Sequence, residues 1–61
     1  MDESQAIAQA AKYFLIAPSA LSAYAHSDGT FELRFIRGSG VPAVGTGYDF
    51  EEAFADLTLA L

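Results

Sequence analysis

The chain contains no cysteine, so neither a disulfide framework nor a thiolate metal site can brace it. In 61 residues, where folding hides only about 60% of the surface that the unfolded form exposes, that bracing must come from packing or self-association. Positive charge is scarce as well. Lys12, Arg34 and Arg37 stand against Asp2, Glu3, Asp28, Glu32, Asp49, Glu51, Glu52 and Asp56, a net charge of -5. That is the wrong sign for gripping a phosphate backbone, so direct nucleic-acid binding is disfavoured. Long apolar runs are missing too. The longest, Tyr13 to Ala17, is far below the roughly 20 residues that cross a bilayer. The opening Met1-Asp2-Glu3 is acidic where a secretory peptide would be basic. The expectation is a soluble cytoplasmic protein without a membrane partner.

What is present is apolar content. At 52% hydrophobic and 18% charged, the composition lies far from the polar, highly charged corner where chains stay disordered. Ile7, Ala10, Ala11 and Phe14 recur with helical spacing. Asp2 with Gln5 fits a capping box at the start of that helix. The helix should end near Leu15, because Pro18 lacks an N–H and pushes Ala17 towards extended backbone.

Ser27-Asp28-Gly29 reads as a turn, followed by Phe31, Leu33 and Phe35 alternating with Thr30, Glu32 and Arg34, the period of a half-buried strand. Loop length sets the register. With a three-residue loop and Gly29 left-handed, Leu21, Ala23 and Ala25 share a face with Phe35, Leu33 and Phe31, while Ser22, Tyr24 and His26 oppose Arg34, Glu32 and Thr30. A two-residue loop sorts apolar from polar less well. The competing reading makes Ser19 to Ala25 a second helix with Pro18 at its start. Gly38-Ser39-Gly40 turns the chain again, and Val41 to Thr46 is a short third strand with Pro42 suited to an edge. Asp49 and Glu52 form a second capping box, and Phe50, Ala53, Phe54, Leu57 and Leu61 make the buried stripe of a terminal helix. The result is a single α+β domain of order α-β-β-β-α, with both helices on the sheet face that carries Phe31, Leu33 and Phe35.

That order, with Gly45-Thr46-Gly47 running into the terminal helix, resembles the double-stranded RNA-binding domain. The resemblance implies the fold and not the function. Where that family carries phosphate-holding lysines, this chain has Asp49, Phe50, Glu51 and Glu52, a reversal of charge. As a very small, acidic, cysteine-free α+β protein, the chain is also similar to the anti-CRISPR and other host-takeover proteins of phages and mobile elements. That second resemblance implies an inhibitor that presents carboxylates where a partner expects phosphates.

Half of the acidic residues sit in or beside the terminal helix. Asp49, Glu51 and Glu52 suit the positive end of its dipole, and Glu52 and Asp56 lie one turn apart with Leu59 beside them. Such carboxylates can pair with Arg or Lys of a partner through charge-assisted bonds, and Leu59 would be an apolar anchor within a polar rim. Glu32 and Asp28 extend the acidic surface. The ordinary alternative is a solvated helix face kept polar for solubility. On the outer sheet face, Tyr24, Arg34 and Ile36 form a second candidate contact patch, weighed against a cross-strand arrangement common to many sheets. This face or the Pro42 edge is where a homodimer would form.

Catalysis and cofactors find little support. Gly45-Thr46-Gly47 before a helix could cradle a phosphate, but the carboxylates that follow would repel it. His26, Ser27 and Asp28 are adjacent in a turn and cannot aim at one another as a nucleophile, base and orienter must. Glu52 and Asp56 give only two oxygen ligands to a metal. The reading is therefore a non-enzymatic interaction module without metal or cofactor, monomer or homodimer, that engages a basic nucleic-acid-binding protein. Its alternative is a small self-associating structural or regulatory domain.

Overall fold

Asp2 caps the first helix reciprocally: Gln5 N–H donates to the Asp2 carboxylate at 2.8 Å, and Asp2 N–H donates to the Gln5 side chain at 3.0 Å. The computed structural model describes residues 2–36 and 40–60. From that cap α1 runs Glu3–Phe14. It ends at Leu15, which takes the left-handed conformation with φ 57 and donates its N–H to Ala11 C=O. Pro18–Ala20 then forms a single 3-10 turn, with Pro18 at its first position, where a missing N–H goes unused.

The segment after Pro18 is a strand and not a second helix: β1 spans Leu21–Ala25 and pairs antiparallel with β2, Phe31–Ile36. Leu21 faces Phe35, Ala23 faces Leu33 and Ala25 faces Phe31, the register of the three-residue loop. His26 N–H donates to Thr30 C=O at 2.8 Å and closes the hairpin, while Gly29 supplies the left-handed residue at φ 90. Asp28 fixes the turn by accepting both the Thr30 hydroxyl at 2.6 Å and the Thr30 N–H at 3.0 Å. Strand β3, Pro42–Gly47, pairs antiparallel with the other side of β2, giving the sheet order β1-β2-β3. Pro42 is thus on an edge, where its lost donor breaks no ladder bond. The expected turn at Gly38-Ser39 lies outside the described residues, as does Leu61.

The last helix, α2, spans Phe50–Ala60. Its Phe50, Ala53 and Leu57 are buried and Phe54 is half-buried. Both helices cover the same sheet face, with Leu33 and Leu57 fully buried at the centre and Ala6, Ala10, Ala11 and Ala53 around them. Each such leucine contributes about 2 kcal/mol on leaving water. Phe31 meets Phe50 with ring centroids 4.7 Å apart, and Phe54 meets Tyr13 and Phe14 edge-on at 5.3 and 5.9 Å. Alanine at the contacts lets α2 lie very close to β3. Gly45 and Gly47 have the same effect from the strand side: a Cβ on Gly45 would collide with the Ala53 carbonyl and the Leu57 backbone. Among the described residues no helix is long and apolar enough to cross a membrane.

Candidate interaction surface

Packing Phe50, Ala53 and Leu57 inward leaves Glu51, Glu52, Ala55, Asp56 and Leu59 facing out. Asp49, Glu52 and Asp56 are not loose. Asp49 accepts the Glu52 N–H at 2.8 Å and caps α2. The expected capping box is only half made, because Glu52 accepts the Tyr48 N–H at 2.7 Å in place of the Asp49 N–H. Asp56 reaches across to accept the Thr46 N–H of β3 at 2.9 Å. Glu51 has no partner among the described residues.

The strand geometry explains why those amides needed an acceptor. Because His26 and Thr30 are a hydrogen-bonded pair, alternate residues of β2 point their backbone groups to opposite neighbours. Phe31, Leu33 and Phe35 bond Gly47, Gly45 and Ala43, so Pro42, Val44 and Thr46 direct theirs to the open side. Pro42 has no N–H, and Asp56 takes that of Thr46. One step beyond the strand, Glu52 takes that of Tyr48. Val44 N–H alone of the outward groups that could donate from β3 has no acceptor among the described residues, so the edge is partly closed against pairing with another strand, a known hazard of exposed edges.

Between β3 and α2 lies an open groove of about 410 Å³, lined by Thr46, Gly47, Tyr48, Glu52, Ala55, Asp56 and Leu59. Tyr48 is 78% exposed and Leu59 85% exposed. The groove thus combines an aromatic ring, an aliphatic side chain and two fixed carboxylates. Sequence reasoning placed Glu52, Asp56 and Leu59 here and missed Tyr48. The available signal was its place just before the capping Asp49, a position outside the buried stripe of α2. Among the described residues no cationic side chain pairs with any carboxylate of α2.

Glu32 and Asp28 do not join this surface. Glu32, expected as part of an open acidic surface, is only 8% exposed on the outer sheet face. Its Oε2 accepts from Arg34 at 2.8 and 3.0 Å, and its Oε1 lies 3.1 Å from His26 Nε2. Arg34 in turn stacks over the Tyr24 ring, 5.7 Å from its centroid. Tyr24 and Arg34 thus meet as expected, around a neutralised Glu32, while Ile36 is exposed at the end of β2. Asp28 remains on the hairpin turn, where the Thr30 hydroxyl, then the Thr30 N–H, holds its carboxyl below the ordinary value of 3.8. His26 turns to Glu32 and Asp28 to Thr30, so Ser27 has neither as a base. Among the described residues no group of three or more His, Cys, Asp or Glu could hold a metal ion.

Comparison with protein-family models, curated proteins and solved structures finds no match.

Proposed function

We propose that the protein is a non-enzymatic, acidic interaction module that engages a basic nucleic-acid-binding protein and blocks its phosphate-binding surface, in the manner of an anti-CRISPR-type inhibitor acting in the cytoplasm. The observation that carries this reading is the α2–β3 groove. Glu52 and Asp56 are held there by backbone amides, without a cationic partner among the described residues, between exposed Tyr48 and Leu59. A carboxylate already fixed by one amide loses little conformational freedom when it accepts from a partner's Arg or Lys. Tyr48 offers a ring face for a guanidinium, and Leu59 an apolar contact at the rim. The net charge of -5 would speed encounter with a cationic partner and make binding fade with salt.

The test uses the triple variant Glu51→Gln, Glu52→Gln and Asp56→Asn. Amide oxygens still accept the Tyr48 and Thr46 N–H groups, so the fold is kept while the charge is removed. Basic DNA-binding proteins captured by the native protein from host lysate, and released by duplex DNA or high salt, should not be captured by the variant. Undiminished capture by the folded variant refutes the reading.

A further inference from the structure

We infer that a second copy of this chain pairs with the β1 edge, joining two sheets into one across a two-fold axis near Ala23. This is independent of the acidic groove, which lies on the other side of the molecule. The two edges of the sheet are treated differently. On β3, Pro42 lacks a donor and Asp56 takes the Thr46 N–H, which leaves the Val44 N–H as the one strand donor without an acceptor among the described residues. On β1, Ser22 and Tyr24 direct their backbone groups to β2, so Leu21, Ala23 and Ala25 direct theirs outward. Leu21 N–H is taken by Pro18 C=O. The N–H groups of Ala23 and Ala25 have no partner among the described residues, and Ala25 is exposed. The strand Leu21–Ala25 contains no proline, lysine, glutamate or other charge, which are the devices that normally blunt an edge.

The occupant is specified by register and charge. Antiparallel pairing about Ala23 sets Ala23 N–H against Ala23 C=O of the second copy, and Ala25 N–H against its Leu21 C=O, each reciprocated by symmetry. Leu21 N–H, which faces Ala25 C=O of the second copy in this register, is already taken by Pro18 C=O, so each Ala25–Leu21 pair makes one of its two bonds. Ser22 then lies opposite Tyr24 of the second copy, so no like charges meet. In a chain of net charge -5 this matters. Strand β2 separates the β1 edge from β3 and the groove that holds Glu52 and Asp56, and pairing at β1 places the two acidic grooves at opposite ends. Absence of disulfides in so small a core also favours association as a source of stability.

Sedimentation of the full chain from micromolar to millimolar concentration tests the inference. The mass should rise from 6.5 kDa towards twice that value, and added salt should strengthen the assembly by screening the repulsion of two anionic copies. Ala23→Pro removes the central donor at a position where an edge strand tolerates proline, and should stay monomeric with an unchanged circular dichroism spectrum. Should that variant fail to fold, amide exchange of the native chain decides: Ala23 and Ala25 N–H protection should grow with concentration. A native chain monomeric at every concentration, a folded Ala23→Pro variant that still dimerises, or a dimer in which both amides exchange freely overturns the inference.

Discussion

Asp56 accepts the Thr46 N–H at 2.9 Å, joining the outer face of α2 to the edge of β3. This bond gives an exposed carboxylate a structural duty, and Glu52 has a similar one on Tyr48. Glu52 and Asp56 therefore do more for the fold than keep it soluble.

Asp56→Ala should lower stability by about 1 kcal/mol, the usual worth of a hydrogen bond to a charged group discounted for exposure, and Asp56→Asn by much less. Urea unfolding measures both. Equal losses would mean that charge, and not the Thr46 bond, is what Asp56 supplies.

Replacing Gly45 by Ala should be far more damaging. Its Cβ would fall within 2.7 Å of Leu57 Cβ and closer still to the backbone of α2, which cannot move aside as a flexible side chain can. A loss of about 3 kcal/mol or more is expected, seen in denaturant midpoint. A neutral result would show that α2 can slide on β3.

Leu15→Gly should stabilise the protein. Leu15 is 90% exposed and adopts φ 57, so its side chain gains little from burial. The left-handed conformation costs a non-glycine residue roughly 1–2 kcal/mol, more than the roughly 0.5–1 kcal/mol that glycine loses in chain entropy. Thermal unfolding should rise by a few degrees; a fall would mean that Leu15 makes contacts that outweigh the strain.

Arg34→Ala should destabilise by about 2 kcal/mol, because it strips the nearly buried Glu32 of its full-time cation while Arg34 itself is only half-buried. Adding Glu32→Gln to the variant should recover part of the loss. A double-mutant cycle by urea unfolding that gives no coupling would sever this link.

Asp28 should titrate below 3.8, chiefly because the Thr30 hydroxyl bonds its ionised form. With the folded-state pKa depressed, the stabilisation is present above the unfolded value and is lost as pH falls through the lower folded one. Thr30→Val removes the hydroxyl and should move the midpoint back towards 3.8, measured by NMR titration. An unmoved midpoint would assign the effect elsewhere.

Much of the fold was legible because its causes are local. Asp2 and Gln5 are three residues apart, and Ser27-Asp28-Gly29 sets the β1–β2 register because a two-residue loop would mix polar and apolar faces. The strand at Leu21–Ala25 was harder, since its alanines and serine suit a helix as well. Pairing with Phe31–Ile36 decided it, burying Leu21 beside the core. The half-made second capping box shows the limit of local rules: Glu52 had two amides within reach and took that of Tyr48.

The sequence by itself determined the order of elements, the inward set of Phe50, Ala53 and Leu57, and the anionic character of what remained outside, because periodicity and charge are carried by neighbours along the chain. Only the tertiary structure decided which carboxylates stand exposed and which are spent. Thr46 meets Asp56, and Glu32 sinks between His26 and Arg34, because each arrangement depends on how closely separate elements approach. That distance is set by glycine and alanine at the α2–β3 contact and by side chains crossing the sheet.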